Sequence, residues 1–157
     1  MTAADSELSI SRLIRAPRSV VWRAWSERER FEKWWIPEPI RCKVIRMDLR
    51  PGGAFETHMS EDDGRTFQPH VEGCFLDVVP ESRIVFTTCL TEGWRPFEPW
   101  LAMTAIITME DEGRDTRYTA RALHKNAEDS RKHHEMGFDA GWGAAIDQLE
   151  KIAMGFR

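Results

Sequence analysis

The sequence predicts an α+β domain in which a curved antiparallel sheet carries a long C-terminal helix across its concave face. Residues 41–123 run in short apolar stretches broken by turn-forming residues, with strand-like alternation in most of them. Helical spacing is confined to the flanks, at 17–36 and 126–153. Consecutive strands joined by short turns make a meander, and an amphipathic helix arriving last has only the sheet to cover.

Residues 8–15 (LSISRLIR) alternate as a first strand that stops at Ala16-Pro17, and Pro17 suits the first turn of a helix. Val20, Val21, Ala24, Trp25, Phe31, Trp34 and Trp35 then follow at helical spacing, interrupted near 26–29. Two short helices are expected, ending before Pro37 and Pro39. Cys42, Val44, Met47 and Leu49 begin the sheet and stop at the turn Pro51-Gly52-Gly53. Residues 54–60 return. Residues 67–79 form a longer strand with a bulge expected at Gly73, and 83–90 (RIVFTTCL) are rich in β-branched and aromatic side chains. Residues 91–99 (TEGWRPFEP) read as pure loop, because two prolines and a glycine oppose regular structure. Residues 100–109 and 116–123 close the sheet as a hairpin.

The terminal segment 126–153 contains no proline, opens on Asn126 as a cap, and repeats Met136, Phe138, Trp142, Ala145, Leu149 and Ile152 at helical spacing. One continuous helix is expected. Its middle gathers Gly137, Ala140, Gly141, Gly143, Ala144 and Ala145, although each helical glycine costs roughly 1 kcal/mol relative to alanine. Two explanations are open: close packing of the helix on the sheet, or a cavity beside it walled by Phe138 and Trp142.

The chain has 157 residues, which fits a single domain over 1–157 with its core at about 8–153. A net charge of −4 argues against nucleic acid or an anionic membrane surface as partner. No apolar run reaches membrane-spanning length, and the first residues lack the pattern of a secretion signal, so a cytoplasmic protein is expected, without membrane insertion. The three cysteines, Cys42, Cys74 and Cys89, are odd in number and widely spaced, which fits reduced thiols. Seven Trp and eight Phe against one Tyr require a large apolar interior or a cavity.

Several segments together resemble the family of activators of heat shock protein 90 ATPase: RAPRSVVWRAWSERERFEKWW, the turn RPGGAF, the strand–turn–strand GCFLDVVPESRIVFT, and the late Gly141-Trp142 followed by Leu149. The resemblance covers about 9–153 and places the chain in the START-like, or SRPBCC, superfamily. It implies a helix-grip fold with a hydrophobic ligand cavity between sheet and helix. That superfamily includes polyketide cyclases, lipid carriers, hormone receptors and co-chaperones, so the resemblance leaves the ligand open. The eukaryotic namesake carries a further N-terminal domain that contacts the chaperone; only a few residues precede the first strand here, which argues against chaperone activation.

The expected partner is therefore a small hydrophobic molecule, lipid-, polyketide- or aromatic-like, with Trp34, Trp35, Trp94, Trp100, Phe138 and Trp142 as candidate lining residues. A homodimer is left open. An ordinary Trp-rich core explains the same residues. The enzymatic alternative is a cofactor-free cyclase- or hydrolase-like activity, with His58, His70 and Glu72 as candidate acid–base groups because His70 and Glu72 share strand parity. Their spacing matches no metal motif, so neither metal nor cofactor is expected. Of the adjacent histidines, the pair is expected in solvent; if one turns inward, it is His134, four residues before Phe138.

Overall fold

The computed structural model describes residues 3–155. A 3₁₀ turn, Ala3–Ser6, leads into β1 (Glu7–Ile14), followed by α1 (Arg18–Ser26) and α2 (Arg28–Phe31). The sheet continues through β2 (Arg41–Met47), β3 (Ala54–Ser60), β4 (Gln68–Val79) and β5 (Arg83–Thr87). A small ribbon, β6 (Leu90–Thr91) and β7 (Arg95–Pro96), precedes β8 (Thr104–Glu112) and β9 (Asp115–Leu123), and the chain ends in α3 (Ala127–Glu135) and α4 (Phe138–Met154). Seven strands form one antiparallel sheet in the order β1-β9-β8-β5-β4-β3-β2.

The inner face follows from alternation. Ala105, Ile107 and Met109 of β8 are buried and lie opposite Ala122, Ala120 and Tyr118 of β9, and Ile10 of β1 lies opposite Ala120 from the other side. Phe86, Phe75 and Phe55 continue the same face toward β3. On this face pack Phe138, Ile146, Leu149 and Ala153 of α4, joined in one core with Val21 and Trp25 of α1. Burying a side chain of this size contributes roughly 1.5–3 kcal/mol relative to leaving it exposed.

The helical pair after Pro17 supplies an aromatic cluster. Trp25 sits 5.2 Å from Phe31, 5.4 Å from Trp34 and 5.4 Å from Trp35, with tilted or edge-on rings, while Phe31 stacks on Trp35 at 5.0 Å. Trp25 Nε1 donates to the Tyr118 hydroxyl at 3.0 Å and Trp34 Nε1 donates to the Ala24 carbonyl at 2.8 Å, so neither indole is buried without a partner. On β2, one of the two edge strands, Arg28 donates to the carbonyls of Val44 and Ile45, and the Val44 N–H donates to a Glu32 carboxylate oxygen at 2.6 Å.

Three expectations are corrected here. The terminal segment is two helices, because Gly137 adopts φ +97° between them and ends the hydrogen-bonded run of α3. Gly73 pairs in register with Phe55; its role is close approach, since a Cβ there would lie 2.6 Å from the Thr87 carbonyl oxygen. The register of β3 and β4 shifts instead between Thr57 and His58, where His70 is the extra residue of β4. Finally, 91–99 is not all loop: Leu90 pairs with Pro96 and Thr91 with Arg95 around Gly93 and Trp94, both at positive φ. A two-stranded ribbon has only edges, where the missing N–H of Pro96 is tolerated.

Candidate ligand cavity

A cavity of about 280 Å³ lies between the inner face of the sheet, α3 and α4. Its floor is Ile107, Tyr118 and Ala120, its α4 wall is Phe138, Gly141, Trp142 and Ala145, and Trp34, Trp35 and Ile36 close one side. Gln148 of α4 fixes that side: its amide nitrogen donates to the carbonyls of Trp34 and Ile36 at 3.1 and 3.0 Å, and its oxygen accepts from the Glu38 N–H at 2.8 Å. The rim is made by Phe97, Trp100 and Met136, which are exposed large hydrophobic side chains. Trp100 is pinned across it by a hydrogen bond from Nε1 to the His70 carbonyl at 2.9 Å.

The two explanations for the glycines apply to different residues. A Cβ on Gly143 would contact Arg12 and Ile10 at 3.5 and 3.6 Å, which is close packing on β1. A Cβ on Gly141 would meet nothing within 4 Å; this glycine keeps the cavity open.

Five of the six aromatic residues expected at a ligand site, Trp34, Trp35, Trp100, Phe138 and Trp142, border this cavity. Trp94 does not. The Gly93 N–H donates to the Gly52 carbonyl at 2.9 Å, and the Trp94 ring lies over Gly52, where a Cβ would come within 2.9 Å of it. Trp94 thus buttresses the Pro51-Gly52-Gly53 turn. Phe97, in the same loop, reaches the rim instead.

His58, His70 and Glu72 are not brought together. His58 lies opposite Lys43 and Pro69 and does not border the cavity. The bulge at His70 breaks the parity it was expected to share with Glu72: Glu72 pairs with Glu56, on the face opposite Val71, Gly73 and Phe75, although it borders the cavity. His70 turns to the inner-face residue Thr57, with Nδ1 3.1 Å from its hydroxyl oxygen, and borders the cavity. Among the described residues no group of three or more His, Cys, Asp or Glu side chains is placed to hold a metal ion.

The adjacent histidines are reversed. His133 is 4% exposed and borders the cavity, whereas His134 points outward to Asp139 at 3.4 Å. Counting four residues from His134 to Phe138 carries a helical phase through Gly137, where the backbone resets it. The available signal was a helix stop: Lys132, His133 and His134 in a last turn, then glycine. His133 packs edge-on against Phe138 and Trp142, at 5.2 and 6.0 Å between ring centroids.

Burial holds the pKa of both His70 and His133 down at about 4, with His124 adding to the effect on His133; His124 is also lowered, chiefly by burial. The sign of the linkage follows. Unfolded imidazoles protonate near 6.5 while the folded ones stay neutral, so the unfolded state binds more protons between these values. The histidine contribution is fully present above about pH 6.5 and is lost as pH falls toward about 4. The expected result is a melting temperature that declines between about pH 7 and about pH 5, less steeply in His70→Asn. A flat profile over that interval would contradict the burial of these rings.

Burial, with Glu32 nearby, pushes Cys42 up to about 12, and Cys74 is buried with Sγ against the Phe75 carbonyl at 3.3 Å. Among the described residues no helix is long and apolar enough to cross a membrane.

Comparison with known proteins agrees with this architecture. The profile of a family described as "Activator of Hsp90 ATPase homolog 1-like protein" matches residues 15–154. No curated protein matches the chain. A crystal structure of a Nitrosomonas europaea protein is similar at 39% identity, with a TM-score of 0.87 over 98% of this chain and 97% of that one. Two solution structures share the fold: a protein from Arthrobacter aurescens, 22% identical with TM-score 0.82 over 99% of this chain and 90% of that one, and an AHSA1-like protein from Aeromonas hydrophila, 18% identical with TM-score 0.70 over 95% and 92%. With its antiparallel sheet, its terminal helix and a profile match over nearly its whole length, the chain belongs to the activator of Hsp90 ATPase homolog 1-like family, within the START-like superfamily.

Proposed function

We propose that this protein binds a small, largely apolar molecule in the cavity between the sheet and α3–α4. The observation that carries the reading is Gly141: the helix gives up stability at a residue whose missing side chain opens onto about 280 Å³ of space walled by indole and phenyl rings. That volume lies near the lower end of the roughly 300–1,000 Å³ usual for small-molecule sites. It suits a flat one- or two-ring compound better than a long acyl chain.

Binding is favoured over catalysis by the chemistry of the two histidines in the wall. An imidazole with a pKa of about 4 is neutral at physiological pH but a poor proton acceptor, whereas an efficient general base titrates near the working pH. These rings are suited to hydrogen bonding. The test is a panel of naphthols, aromatic acids, polyketide-like phenols and fatty acids, followed by Trp fluorescence and thermal shift. A ligand at 100 times its Kd stabilises the native state by about 2.7 kcal/mol, and a panel without any shift would remove the reading.

A further inference from the structure

His133 belongs to a chain of hydrogen bonds whose direction can be deduced. His124 Nδ1 lies 3.2 Å from the Ser6 carbonyl oxygen, and a carbonyl cannot donate, so this nitrogen carries the proton. A neutral His124 then holds a lone pair on Nε2, which is 2.9 Å from His133 Nδ1; that nitrogen must be the donor. A neutral His133 with its proton on Nδ1 keeps a lone pair on Nε2. Both rings are buried, which keeps each of them neutral. Nε2 of His133 has no hydrogen-bond partner among the described residues, and it is not one of the fully enclosed polar atoms. The ring borders the cavity between Phe138 and Trp142.

We infer that His133 Nε2 is the acceptor that orients the ligand, so that the bound molecule is an aromatic alcohol or a similar apolar compound bearing one O–H or N–H donor. The inference rests on the hydrophobic-ligand reading and narrows it. A carboxylate would set its charge against a lone pair, and an ether would leave two acceptors facing each other. The Ser6–His124–His133 chain makes the polarity of the wall a consequence of backbone position, not of solvent conditions near neutrality.

The experiment uses the full chain and three matched probes: 2-naphthol, 2-methoxynaphthalene and 2-naphthoate. The alcohol is expected to bind about tenfold more tightly than either of the others, the usual scale of a lost buried hydrogen bond, and the gap is expected to close in His133→Phe. Nitrogen-15 correlation spectra of the unliganded protein at neutral pH give the tautomer directly and need no variant; His133 is expected as the Nδ1–H form. An Nε2–H tautomer, or equal affinity of native protein for alcohol and ether, would overturn the inference and leave the cavity reading intact. Failure of all three probes at millimolar concentration would overturn the inference, and the cavity reading would then be decided by the wider panel.

Discussion

Replacing Trp25 with alanine is expected to destabilise the protein by about 3–5 kcal/mol, a large share of the roughly 5–15 kcal/mol typical of a domain. Trp25 is completely buried and touches Phe31, Trp34, Trp35 and Phe55, so the ring cannot be removed without leaving a hole between α1 and the sheet. The change also strips the Tyr118 hydroxyl of its indole donor. Because Trp34 and Trp35 lean on this ring and also border the cavity, ligand affinity is expected to fall with stability. Urea unfolding gives the number directly. A loss below about 1 kcal/mol would mean that the aromatic cluster is not the core it is described as.

Gly141→Leu is expected to act in opposite directions on stability and binding. The position is helical, and an added Cβ meets nothing within 4 Å, so the backbone gains roughly 0.5–1 kcal/mol from losing a glycine. The leucine side chain then projects into the space a ligand needs, and affinity for any compound found by the panel is expected to drop by about 100-fold, or about 2.7 kcal/mol. Thermal unfolding and fluorescence titration of the same sample separate the two effects. Unchanged affinity would show that the ligand does not lie against α4. Gly137 cannot serve as the control, because its φ of +97° would strain any other residue.

The strands were legible because their chemistry is local: alternation and turn residues between 41 and 123 place Ala54–Ser60 to the residue and make a meander of β2–β5, β8 and β9, whereas the pairing of β1 with β9 came only from the structure. The helix-grip arrangement rested on that order together with the family resemblance. What was not legible depends on single backbone events that shift a phase. One left-handed residue, Gly137, exchanges the roles of His133 and His134, and one extra residue in β4 separates His70 from Glu72. Neither event changes periodicity over a long window, and only the basic last turn before Gly137 marks the first of them. Trp94 was misplaced for another reason: an indole in a loop can face a ligand or brace a turn, and only the approach of Gly52 decides between them.

The hydrogen bonds from Arg28 and Glu32 to β2 bear on how chains behave toward one another. An outermost strand presents unpaired amide groups that can template a strand from a second molecule, the usual start of sheet-mediated aggregation. Here the Val44 N–H and C=O are both taken, by Glu32 and Arg28, and the strand is bent by an extra residue between Val44 and Arg46. An incoming chain would have to evict two charged side chains before forming its first pair, and then follow a bent template. Strand addition is thereby opposed at the middle of this edge of the sheet by Arg28 of α2 and by Glu32, which caps its end.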